Sequence, residues 1–208
     1  MSLCNVWTGG DAALIAVDTA IRSQPEGLLG HRSKILPVPH ARMALACRGQ
    51  MFHFAALHFA LSSQASTFDD AMERLPGMLE TLSANANLTP SIPGVDLTLE
   101  LFVVGWSDAA EGMQVHRYLF QHGGAYEKDQ SGSGVFLSPC ATEEERQAGY
   151  MIATQPDFDE QLPLFMSRQA IYGRATHPDV AFGGRILKTT LTRDFIQTID
   201  LGEMPEGS

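Results

Sequence analysis

Basic residues are scarce: 14 lysines and arginines stand against 24 aspartates and glutamates in 208 residues, a formal net charge of -10. That balance repels phosphate backbones and anionic lipid, so neither a nucleic acid nor a membrane surface is an expected partner. Cysteine is rare as well. Cys4, Cys47 and Cys140 share no C-x-x-C or other metal-type spacing. An odd count fits a reducing compartment better than a disulfide framework. Long hydrophobic runs are missing; a spanning helix needs roughly 20 apolar residues. The first residues lack the basic-then-apolar order of a signal peptide. The expected location is cytoplasmic. No H-E-x-x-H, P-loop or G-x-G-x-x-G string occurs, and no cofactor or metal is expected. His53 and His58 do not share a helix face well and read as helix-surface or partner-packing residues rather than metal ligands.

An apolar content of 44% in 208 residues can bury a core without staples, and one domain spanning 1–208 is expected. Residues 3–8 and 12–21, around Gly9-Gly10-Asp11, read as a hairpin. A turn is expected over residues 24–27. Short strands follow over 34–38 and 43–47, closed by Gly49, with Pro37 marking an edge. The period then becomes helical. Residues 51–62 form a breaker-free apolar segment. A second helix opens at Ser66, with Phe68, Met72, Leu75, Leu79 and Leu82 on one stripe. Pro76 predicts a kink or break in it. After a polar connection over 85–93, residues 95–106 suit a central strand, and 113–120 return as its hairpin partner. Residues 121–134 read as a Gly- and Ser-rich loop. Two helices, over 143–150 and 157–172, precede closing strands over 182–190 and 194–199.

The order ββ–ββ–αα–ββ–α–ββ suggests an α+β domain in which helices cover two antiparallel sheets. Several strings carry chemistry. Residues 13–19 end in Asp18-Thr19, Ser33-Lys34-Ile35 follows, and residues 44–49 are a small-residue strand ending in Gly49. Lys34 lies sixteen residues after Asp18, and Ser2 sixteen before it. This order and spacing, with residues 101–105 and Gly183-Gly184, resemble the N-terminal nucleophile hydrolase superfamily, in particular the proteasome β-subunit and HslV-type family. The resemblance implies a four-layer αββα sandwich, amide or peptide-bond hydrolysis, and assembly into homo-oligomers, a ring among them. Ser131, in the string Ser131-Gly132-Ser133, is similar to a family serine that bonds near the α-amine.

The chemistry suits the residues. A free α-amine titrates near pH 7.7–8.0, so it can serve as general base without a histidine. Lys34, held by Asp18, would stabilise the developing alkoxide or thiolate, and the Gly49 N–H would bind the oxyanion. If the first hairpin turns about Gly10, paired residue numbers sum to about 20. Ser2 then opposes Asp18, and Cys4 opposes Ala16 on the same face. The nucleophile stays open. It is Ser2 if Met1 is removed, or Cys4 if Met1-Ser2-Leu3 was added for expression. If neither is exposed, the chain is a catalytically inactive, proteasome-like structural subunit. A peptide or small amide is the expected substrate. The helical pair over 51–84 is the expected subunit contact.

Taken singly, each residue also has a plainer role. Asp18 can be a strand-end turn residue, Lys34 a solvated edge charge and Gly49 a turn glycine. Cys47 reads as an inert buried thiol.

Overall fold

The computed structural model describes residues 2–22, 29–49, 51–88, 98–121, 124–139, 142–178 and 180–205. The expected turn over 24–27, residues 89–97 of the expected connection and strand start, and Cys140 fall outside them. The described chain is a mixed α+β structure with four α-helices and antiparallel sheets. No helix among the described residues is long and apolar enough to cross a membrane.

In chain order the strands are β1 (Cys4–Gly9), β2 (Ala12–Asp18), β3 (Ala20–Arg22), β4 (Leu29–His31), β5 (Ile35–Val38) and β6 (Met43–Gly49). Helices α1 (Met51–Gln64) and α2 (Phe68–Leu88) follow, then β7 (Leu99–Ser107), β8 (Gly112–Phe120), β9 (Tyr126–Gly132) and β10 (Val135–Ser138). Helices α3 (Glu143–Ile152) and α4 (Phe158–Thr176) lead into β11 (Arg185–Thr192) and β12 (Ile196–Glu203). One five-stranded sheet has the order β10-β1-β2-β11-β12 and the other β5-β6-β7-β8-β9, with β3-β4 as a separate pair.

Strand alternation sorts the side chains into three apolar clusters. Cys4, Val6, Ile15 and Val17 of one large sheet meet Ala44, Ala46, Phe102 and Val104 of the other. The opposite face of the second sheet, with Leu45, Leu101 and Val103, packs on Phe54, Leu57, Phe68 and Leu75 of α1 and α2. The opposite face of the first sheet, with Leu3, Trp7 and Ala16, packs on Leu162, Phe165 and Met166 of α4. β7 is buried along its whole length, as a strand covered on both faces must be, and it sits at the centre of its sheet.

Four expectations change. The β1–β2 hairpin pairs Cys4 with Val17 and Gly9 with Ala12, so paired numbers sum to 21 and not 20. The loop is two residues, Gly10-Asp11, with Gly10 at φ 45, rather than a pivot on Gly10. Pro76 does not break α2, which runs unbroken across it. Pro76 is solvent-exposed, so the carbonyl it leaves without an amide partner can be met by water. The helix N-terminus lies one residue later than expected: the Asp70 N–H donates to Thr67 Oγ1 (3.1 Å), while Asp70 Oδ2 accepts from the Ser66 N–H (2.9 Å). Within 121–134, β9 is a strand whose polar sequence at a sheet edge carries no apolar alternation.

Candidate functional site

Asp18 closes β2 with both carboxylate oxygens occupied. Its Oδ1 accepts from Lys34 Nζ (2.7 Å) and from the Leu3 N–H (2.9 Å), and its Oδ2 accepts from the Gly183 N–H (3.0 Å). Lys34 also donates to the Ala20 carbonyl (2.5 Å). The pair is almost wholly dry, with side-chain exposures of 3% for Lys34 and 0% for Asp18. Burial pushes the Asp18 carboxyl up, against the downward pull of the Lys34 ammonium and the two amides. Gly183 and Gly184, at φ 126 and 76, make the turn that aims the Gly183 amide at Asp18. The fold thus brings Asp18 and Lys34 into contact beside the start of β1.

The opening of β1 is held from the other sheet. Arg48 Nε donates to the Ser2 carbonyl (2.6 Å), and Arg48 Nη1 donates to Glu100 Oε2 (2.6 Å) and to the Ser138 hydroxyl. Glu100 is shared, since its Oε1 accepts from Arg117 Nε (2.6 Å), and Arg117 Nη1 reaches Asp129 Oδ2 (2.7 Å). Ser2 itself is 3% exposed. A cleft of about 390 Å³ adjoins this network, with Glu100, Phe102 and Arg117 on one side and Phe136, Leu137 and Ser138 on the other.

The other expected residues divide. The corrected register sets Leu3, not Ser2, against Asp18, and Ser2 is one residue beyond the amide that Asp18 holds. Cys4 opposes Val17 rather than Ala16, and its fully buried side chain belongs to the cluster between the two large sheets. Burial pushes the Cys4 thiol well up, which makes it a poor nucleophile where it stands. Burial raises Cys47 in the same way. Gly49 ends β6 at φ 101, and a Cβ there would lie 2.1 Å from the Thr98 carbonyl oxygen, so only glycine fits. Ser131 is not at the site. It is exposed, pairs with His116 across β9 and β8, and lies three strands from β6. The serine that does lie beside β1 is Ser138, paired with Cys4. His53 is not on the surface: it is buried, with Nδ1 3.3 Å from the Tyr126 hydroxyl.

Arg48, Glu100 and Ser138 were missed. The first two carried a signal. Ala44 and Ala46 face the other sheet and Arg48 continues that face, as Glu100 continues the face of Phe102 and Val104. Charges at inward positions of two strands call for each other. Ser138 carried none, because β10 follows a Gly- and Ser-rich string without alternation. No group of three or more His, Cys, Asp or Glu suited to a metal occurs among the described residues. The chain matches no known protein family and no curated protein.

Proposed function

We propose that this chain is a four-layer αββα sandwich of the N-terminal nucleophile hydrolase type, and that it hydrolyses an amide or peptide bond with Ser2 as nucleophile. One observation carries the reading: Asp18 binds both Lys34 Nζ (2.7 Å) and the amide directly after Ser2 (2.9 Å). The three apolar clusters support the layered architecture, one between the large sheets and one beneath each helical pair.

In this reading, removal of Met1 frees the Ser2 α-amine. The amine takes the hydroxyl proton as Ser2 Oγ attacks the substrate carbonyl carbon. The positive charge of Lys34 stabilises the alkoxide, and Asp18 keeps Lys34 in place. Backbone donors alternate sides along a strand. The Cys47 N–H donates to the Lys34 carbonyl (3.1 Å), so the Gly49 N–H follows to the side where β5 begins, as an oxyanion donor must. Collapse breaks the C–N bond, and the α-ammonium returns its proton to the leaving amine. Water then hydrolyses the Ser2 ester, with the α-amine again as base.

The test is intact mass of the mature chain, followed by reaction with an electrophilic peptide and mapping of the adduct. Loss of Met1 and a single adduct on Ser2, abolished by Ser2→Ala, is the expected result. A retained Met1 with no adduct would sink the catalytic reading. It would leave the structural-subunit alternative, which the exposure of Phe52 (74%) and Phe59 (76%) on α1 favours as an assembly surface.

A further inference from the structure

Gly183, whose N–H holds Asp18 Oδ2, also lines a cavity of about 460 Å³. Three cationic or basic side chains line it as well: His31, Arg174 and Arg185. They differ in what they already bind. Arg185 Nε is committed to Asp200 Oδ2 (2.6 Å). His31 is seated by Thr19, with Nδ1 3.2 Å from Thr19 Oγ1. Gly184 is part of that seat, because a Cβ there would fall 2.6 Å from His31 Nδ1. Arg174, in the last turn of α4, makes no ion pair or hydrogen bond among the described residues.

Arg174 is solvent-exposed, and no carboxylate pairs with it among the described residues. Its planar fork matches an oxyanion with two parallel hydrogen bonds. The cavity holds more than a bare ion. Phe182 and Met204 supply apolar wall, and Glu203 adds one carboxylate that an anionic ligand must sit beside. Small-ligand sites commonly combine apolar walls with a few fixed polar groups in this way.

We propose that this cavity binds a small organic acid, its carboxylate held by Arg174 and its apolar body lying against Phe182 and Met204. Ser2, Asp18 and Lys34 do not line this cavity, and the proposal does not depend on chemistry at Ser2.

The experiment is calorimetric titration of the full chain at low salt with benzoate and, as a bare oxyanion, inorganic phosphate. Benzoate binds at one site and phosphate binds more weakly. Arg174→Gln weakens benzoate roughly tenfold or more, as loss of a charged hydrogen-bonding partner does. Glu203→Gln acts in the opposite sense and tightens benzoate, since it removes a like charge. This second variant matters because Arg174 also complements the C-terminal end of α4, and its loss can weaken the helix. Absence of saturable benzoate binding up to about 10 mM, phosphate binding as tight as benzoate, or the two variants moving affinity in the same direction would each overturn the proposal.

Discussion

At the scale of single residues, the buried pair Lys34–Asp18 is the most exposed to test. Lys34→Ala leaves a carboxylate at 0% exposure with only backbone amides for partners. Breaking such a pair from one side costs about 3–5 kcal/mol. The double variant Asp18→Asn with Lys34→Met removes both charges together and should lose less than the two single changes summed. Urea unfolding of the four proteins measures this; additive losses would mean the two side chains are not coupled. Arg48 is tested differently. Arg48→Lys keeps the charge facing Glu100 but cannot reproduce a fork that reaches the Ser2 carbonyl, Glu100 and Ser138 at once. It should slow adduct formation at Ser2 by about tenfold while leaving the chain folded by circular dichroism. The Asp18–Lys34 contact was legible only through the family resemblance, which gives meaning to the sixteen-residue steps between Ser2, Asp18 and Lys34; taken singly, neither residue announces it. Ser131 was misplaced because three serines, Ser131, Ser133 and Ser138, lie along the same glycine-rich crossover, and only pairing sets Ser138 beside Cys4 of β1.

At the scale of elements, close approach decides what packs where. Gly105 lies in β7 where α2 crosses the sheet, and a Cβ there would meet Phe68 Cδ2 at 2.4 Å and Met43 Cβ at 2.7 Å. Gly105→Ala must push the first turn of α2 off the sheet. A loss of about 1–3 kcal/mol is expected from overpacking of this kind, read as a lower urea midpoint with an unchanged slope. Gly105→Ala matching the parent protein would show that α2 can yield freely. The central strand was legible because its alternation gives way to a continuous apolar end, and α1 because it lacks a breaker. The hairpin register was off by one, since Gly9-Gly10-Asp11 allows either a pivot on Gly10 or a two-residue loop. That single step decides whether residue 2 or residue 3 opposes Asp18. β9 was illegible for a different reason: Glu127, Lys128, Asp129 and Ser131 give it no apolar face, and its pairing with β8 is made by backbone hydrogen bonds that composition does not announce.

At the scale of the whole molecule, part of the acid stability rests on a histidine wedged between a helix and a sheet. His116 in β8 stands against the Phe68 ring of α2, with ring centroids 5.7 Å apart, and its Nδ1 is buried without a hydrogen-bond partner among the described residues. Burial, with Lys128 nearby, pulls the imidazole down to about 4, while Asp69 opposes the shift. The unfolded chain takes the same proton near pH 6.5. Above that pH both states are neutral at this site and its contribution to stability is complete. Between about 6.5 and about 4, the unfolded state binds a proton that the folded state refuses, so stability falls as pH falls. Below that window both states are protonated and the slope from this residue ends. His53, also pulled down by burial, acts in the same sense. The half-buried ring admits some solvent, which holds the loss from His116 to about 1–2 kcal/mol. His116→Gln cannot titrate, so the stability difference between variant and parent should shrink steadily across that window. Urea midpoints taken at half-unit pH steps report it. A difference that stays flat from neutral pH to the lower end of the window would mean that the imidazole is hydrated in the folded protein and that the contact between α2 and the second sheet is looser than its geometry implies.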